Sequence, residues 1–184
     1  MLAYFIYIGL LFLELFLLML FTLYIFLLIY SHISGSPYVP SKTKELELIL
    51  SKCRLKRKMT FVDLGCGDGR VVRMAVKTYG VNGVGIDVNP LLLIWARMSS
   101  RLSKLKNIQF LKKNILTYDV SQADVIYLFL LPGLLTKLVP RLEKTLQPGT
   151  LIVSHGFKIP EWKKYLTETV KHTPFPTYFY SYKV

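Results

Sequence analysis

Residues 63–70 read Asp-Leu-Gly-Cys-Gly-Asp-Gly-Arg, and Asp87 stands 22 residues after Gly65. Glycines at alternate positions let the backbone turn tightly and come close to a ligand. A carboxylate spaced like Asp87 suits the end of the following strand, where it can accept hydrogen bonds from both hydroxyls of an adenosine ribose. A dinucleotide loop would instead read Gly-x-Gly-x-x-Gly and seat a pyrophosphate on a helix N-terminus. Here Arg70 occupies the place of that third small residue. Asp63 and Asp68 flank the loop, where they would repel a pyrophosphate and attract a cation. The chemistry these residues suit is binding of an adenosine that carries positive charge, such as the sulfonium and amino group of S-adenosylmethionine.

Other reactive residue types are sparse. His32, His155 and His172 are scattered, with no cysteine or acid at metal-ligand spacing, so no metal site is expected. His155 ends a predicted strand and reads as a polar loop histidine at the border of a pocket. Cys53 and Cys66 fit a reducing compartment, with Cys66 chosen for small size and no disulfide expected.

The elements that must position this chemistry are legible as alternating periods. Apolar residues at Leu46, Ile49, Leu50 and Cys53 give a helical spacing over 42–53. Residues 60–64 read as a buried strand entering the glycine loop, and 70–79 as the helix leaving it. Strands follow at 83–88, 108–111, 124–131 and 150–155, with helices at 90–105 and 133–146. Such alternation implies an α/β fold with a parallel sheet and helices on both faces, a Rossmann-like arrangement. Residues 167–171 and 178–183 leave no room for a helix between them and predict an antiparallel hairpin on the sheet edge.

The quoted segments resemble a known family. Residues 62–69, followed by Gly85-Ile86-Asp87, are similar to the first motif and the acidic motif of class I, seven-strand S-adenosylmethionine-dependent methyltransferases, and the reversed last strand matches as well. The resemblance covers roughly residues 38–184. It implies that Asp63, Gly65, Cys66 and Gly67 hold the methionine end of S-adenosylmethionine, that Asp87 and Val88 lie by the ribose, and that Asn114 and Ile115 lie by the adenine. Pro37-Tyr38-Val39-Pro40-Ser41 and Phe129-Leu130-Leu131-Pro132 narrow it further. With the apolar N-terminus, they resemble the membrane-associated protein-lysine methyltransferases of the ATP synthase c subunit and the adenine nucleotide translocase, and their prokaryotic relatives. The implied reaction is N-methylation of a lysine in a membrane protein. In that reading Tyr38 positions the amine, and Leu131 and Pro132 line the lysine channel. Many DNA and glutamine N-methyltransferases carry a polar Asn/Asp-Pro-Pro-aromatic motif at the fourth strand, and Leu-Leu-Pro offers no such acceptor. A lysine amine needs only to lose its proton and align, so no strong general base is expected. Methylation of a lipid head group or quinone, and a cofactor-binding module without catalysis, remain open alternatives.

Composition places the domain. The chain has 184 residues and a net charge of +13. Only Gly9, Glu14 and Thr22 interrupt the apolar run of residues 1–30, and the first basic residue is Lys42. This excludes a disordered chain, a multi-pass membrane protein and a large multidomain enzyme. It predicts a transmembrane anchor over 1–30, a linker that covers the cofactor over 31–41, and a methyltransferase domain over 42–184. A cleaved signal peptide fits poorly, because no positive charge precedes the apolar run. All basic residues follow the span, which predicts a single-pass protein with its N-terminus outside and the domain in the cytoplasm. Arg97, Arg101 and Lys104 recur at helical spacing and read as a solvated face, or as a contact with an anionic membrane surface. Nucleic-acid binding suits an anchored domain badly.

Overall fold

The computed structural model describes residues 1–33, 43–171 and 173–182. Two compact units divide the chain, Met1–Pro37 and Tyr38–Val184. The first holds helix α1, Leu2–Ile33. Its apolar stretch Ala3–Phe26 is 24 residues long. At 1.5 Å per residue that is about 36 Å, more than the roughly 30 Å of a hydrocarbon core. By length and composition α1 can cross a membrane.

The second unit is built on seven strands. They are β1 (Thr60–Leu64), β2 (Asn82–Asp87), β3 (Ile108–Lys112), β4 (Val125–Leu128), β5 (Leu151–His155), β6 (Leu166–Val170) and β7 (Thr177–Ser181). Their order across the sheet is β3-β2-β1-β4-β5-β7-β6. Strands β1 to β5 pair in parallel, and β7 enters antiparallel to both β5 and β6. The expected Rossmann-like α/β architecture with a terminal antiparallel hairpin is therefore present. The helices are α2 (Thr43–Lys52), α3 (Arg70–Tyr79), α4 (Pro90–Leu102) and α5 (Pro132–Thr145).

Strand alternation sorts the core into two layers. Phe61, Tyr127, Val153 and Phe179 face α2, α3 and α4, packing with Ile49, Val72, Ala75 and Leu93. Val62, Leu64, Ile126, Leu128 and Ile152 face the other way, against Leu135, Leu138 and Leu142 of α5. On β2, Gly85 faces the first layer, and a Cβ there would lie 2.6 Å from Phe110 and 2.8 Å from the Cys66 sulfur. A glycine at this point lets the loop after β1 close down on β2.

Two elements end three residues short of the sequence expectation, each for a visible reason, and one element is added. Strand β4 stops at Leu128, not residue 131. Its ladder partners end there, at Leu64 on one side and Ser154 on the other. Helix α4 stops at Leu102, not residue 105, because Lys104 takes a positive φ of 53°. A 3-10 turn over Pro160–Tyr165, unforeseen in the sequence, seals the α5 side. Its Trp162 is fully buried, and the indole N–H donates to Glu143 of α5 at 2.9 Å.

Candidate active site

Strands β1 and β4 lie side by side while their helices pack on opposite faces of the sheet. The crevice at the carboxyl ends of these strands is where open α/β sheets bind ligands. Every described candidate from the sequence lies at the carboxyl ends of β1 to β4 or on the segments that follow them.

The glycine loop is pinned first. The N–H groups of Gly65 and Cys66 both donate to the carbonyl of Ile86, at 2.8 and 2.9 Å, and Gly69 N–H donates to the Cys66 carbonyl at 2.8 Å. Gly65 has φ of +89°, and a Cβ there would lie 2.8 Å from Leu130 Cδ2. Leu130, fully buried just beyond β4, thus presses on the loop. Only glycine satisfies both the left-handed backbone and this close approach.

Asp87 ties the loop to β2. Its Oδ2 accepts from Gly67 N–H and its Oδ1 from Asn89 N–H, each at 2.8 Å. A carboxylate offers about four lone-pair sites, so two remain for hydroxyl donors. Val88 follows, half-buried. The next strand end is joined by Lys113 N–H donating to the Asp87 carbonyl at 3.2 Å. There Asn114 is exposed, and its Oδ1 accepts from Leu116 N–H at 2.9 Å in a tight turn. Ile115 turns inward as a core residue.

Asp63 is 2% exposed. Burial holds its carboxyl well above the ordinary value, and the negative charges of Asp87 and Asp68 push the same way. No cation among the described residues acts on it to oppose that. Asp68 behaves differently from the expectation of a second free acid. It pairs with Arg70, whose Nη2 lies 3.0 Å from its Oδ2, and accepts Arg70 N–H at 3.0 Å. Its charge is therefore engaged within the loop, which leaves Asp63 as the acid a cation would complement. Cys66 is buried, and burial with the nearby Asp63 holds its thiol well above the ordinary range. It stays protonated and acts by size, not as a nucleophile.

These features meet the needs of S-adenosylmethionine. The loop gives close backbone approach, Asp87 gives paired acceptors for a ribose, and Asp63 gives a buried carboxyl that a cationic methionine end would complement.

The remaining candidates lie at the end of β4. Leu131 is 41% exposed and caps α5, and Pro132 opens that helix at its first position. Because β4 leaves its ladders at Leu128, residues 129–131 lie outside the sheet and α5 begins at once at Pro132. Tyr38 lies outside the described residues, as does the whole 37–41 segment; so does His172.

Beside Phe129 stands the histidine that the sequence put at the border of a pocket. His155 is 1% exposed, which corrects its reading as a polar loop residue. Its ring lies 4.5 Å from that of Phe129 and 6.0 Å from that of Phe175, and its Nδ1 is 2.9 Å from Thr177 Oγ1. Phe129 also meets Phe175 edge-on at 5.4 Å. The signal was present in Pro174-Phe175-Pro176, but nothing local says which strand end that turn covers.

Comparison with known proteins fits this geometry. The family described as the ANTKMT methyltransferase domain matches residues 63–165. The chain is 34% identical over 139 residues to a protein-lysine N-methyltransferase from Saccharolobus islandicus, covering 72% of this chain and 83% of that protein. It is 31% identical over 137 residues to the Caenorhabditis elegans lysine N-methyltransferase of the ATP synthase c subunit, with 69% of this chain and 71% of that one aligned. Among solved structures it is similar to an RNA methyltransferase from Salinibacter ruber in complex with S-adenosyl-L-homocysteine. That likeness has a TM-score of 0.75 and 32% identity, over 79% of this chain and 94% of the other.

Proposed function

Because the chain belongs to the ANTKMT methyltransferase domain family and is an S-adenosylmethionine-dependent methyltransferase, we propose that it methylates the side-chain nitrogen of a lysine in a membrane protein. The observation that carries this reading is the contrast at the strand ends. A buried acid that meets no counter-cation among the described residues sits at the loop, and an exit of Leu130, Leu131 and Pro132 lacks any polar side chain. The names of the relatives from Saccharolobus islandicus and Caenorhabditis elegans support lysine as the acceptor.

In this reading Asp63, Gly65, Cys66 and Gly67 hold the methionine end of the cofactor. Asp87 and Val88 hold its ribose, and Asn114 and Ile115 border its adenine. S-adenosylmethionine supplies an electrophilic methyl group on a sulfonium. The chain's residues do the rest. Gly65 and Gly67 bring the backbone close enough to fix the cofactor's direction, and Asp63 supplies the charge its cationic end needs. Leu131 and Pro132, with Phe129 beside them, exclude water from the approach of the amine. An apolar approach favours the neutral amine over the ammonium, so the nucleophile arrives with its lone pair free. Tyr38 positions that amine.

The anchor spans residues 1–30, residues 31–41 link it to the domain and cover the cofactor, and residues 42–184 carry catalysis. The excess of Lys and Arg beyond the span supports a cytoplasmic domain, and in this reading the substrate lysine lies on the same side. Labelled S-adenosylmethionine incubated with native membranes and the full chain tests the acceptor. Label in a protein band, retained as methyl-lysine after hydrolysis, is the expected result. Label in the organic extract would transfer the reading to a lipid or quinone. Label in a nuclease-sensitive fraction would transfer it to RNA, and binding without label would mean a module that has lost catalysis.

A further inference from the structure

Helix α4 is apolar on two opposite faces. Leu93, Ala96 and Ser100 are buried against the sheet. On the far side Leu91, Ile94, Trp95, Met98 and Leu102 are all exposed, Trp95 at 59% and Leu102 at 83%. At 100° per residue these five fall within an arc of about 100°, centred opposite the buried face. A surface helix of a globular domain carries polar residues there, and one apolar all round is normally covered. Arg97 and Arg101 are exposed, as a solvated basic face requires, but they line one edge of this stripe instead of filling the outward face.

We infer that the outer face of α4 lies in the interface of an anionic lipid bilayer, as an in-plane helix. Three observations select lipid over other occupants. The stripe carries a tryptophan, whose apolar body and N–H suit the headgroup boundary. It is edged by arginines, matching an anionic leaflet, whereas a second copy of the same face would set arginine against arginine. Finally, only residues 34–42 separate α1 from α2 in sequence, and nine residues reach at most about 30 Å. A domain tethered within that distance of a bilayer can reach its surface. The inference rests on the reading of α1 as a membrane span. Helix α4 begins two residues after Val88, beside the proposed ribose site. Laid on the bilayer, it would hold the strand ends at the membrane surface, where a lysine of a membrane protein emerges.

The test uses the full chain reconstituted at less than one copy per vesicle, in phosphatidylcholine with phosphatidylglycerol. Trp95 and Trp162 are the two tryptophans, and Trp162 is fully buried, so wild type minus Trp95→Phe isolates the Trp95 emission. The expected result is blue-shifted Trp95 emission that lipids brominated near the headgroup quench and aqueous iodide does not. In Ile94→Ser/Met98→Ser that pattern reverses, while S-adenosylhomocysteine binding is retained as proof of folding. Carbonate extraction scores insertion of α1 separately. Protein that resists extraction yet shows iodide-quenched Trp95 overturns the inference and leaves the anchor standing; protein that extracts overturns both. Protection of Trp95 that appears only at several copies per vesicle, without bromolipid quenching, overturns it in favour of a second copy.

Discussion

Asp87→Asn separates a carboxylate that grips a ribose from one that only braces a loop. Both oxygens of Asp87 already accept backbone N–H groups, from Gly67 and Asn89. An amide offers one acceptor oxygen, so in either rotamer one of those donors meets an NH2 group. That leaves an unmade bond costing about 1–3 kcal/mol, felt mainly as lower stability. The ribose contribution is distinct. A hydroxyl bonded to a charged group contributes about 1.5–3 kcal/mol, a factor of about 10–150 in Kd. Titration calorimetry with S-adenosylhomocysteine should show at least that loss, but loop damage could produce a loss as well. The double cycle removes the ambiguity. An analogue lacking the ribose 2′-hydroxyl should lose affinity for the wild type and almost none for Asp87→Asn, giving a coupling of about 1.5–3 kcal/mol. If the analogue lost the same affinity against both proteins, the carboxylate would not touch the hydroxyl, and the ribose assignment would fail.

Four further outcomes follow from the site. The folded chain holds the Asp63 carboxyl well above its ordinary value, so it retains a proton the unfolded chain has shed. Stability of the ligand-free domain should therefore fall as pH rises from the ordinary value of 3.8 toward the raised one, and Asp63→Asn should flatten that slope in urea midpoints across pH. The same substitution should weaken S-adenosylmethionine more than S-adenosylhomocysteine, since only the former carries the sulfonium. Gly65→Ala must accept φ of +89° and a 2.8 Å approach to Leu130; melting curves should show a loss of about 1–3 kcal/mol, with cofactor binding impaired. With no strong base, kcat/KM for a lysine peptide should rise about tenfold per pH unit below the pKa of its amine, and Tyr38→Phe with Leu131→Ala should lower turnover without that slope changing; unchanged turnover in both would discard this exit.

Much of this is legible in the chain because local and global signals agree. The short apolar runs of β1, β4 and β5, alternating with helical spacings and broken by the glycine loop, imply a parallel sheet with helices on both faces, and Asp87 then falls at a strand end. What escapes the sequence depends on neighbours distant in the chain. Strand β4 looks apolar through Leu131, and nothing in it records that Leu64 and Ser154 end their ladders at Leu128. His155 looks like a loop residue until Phe175, 20 residues later, returns over it. The outer face of α4 escapes for a similar reason, since Arg97 and Arg101 mark a helix edge without saying that Trp95 and Met98 fill its centre.

The early ending of β4 links these elements causally. A parallel strand is held by bonds on both sides, and where both ladders stop, the chain is free to choose a new direction. Leu130 uses that freedom to press on Gly65, and Leu131 and Pro132 to begin α5, so one break in pairing shapes both the loop and the apolar exit. The acids sit on the other side of this break, at the ends of β1 and β2. Charge and apolarity are thereby separated across the crevice, and the proposed function would put the cationic donor on the acidic side and the amine on the dry one. Extending β4 by three residues would merge the two sides and leave the amine's approach open to water. The position where pairing stops is thus a requirement of the proposed chemistry as well as a feature of the fold.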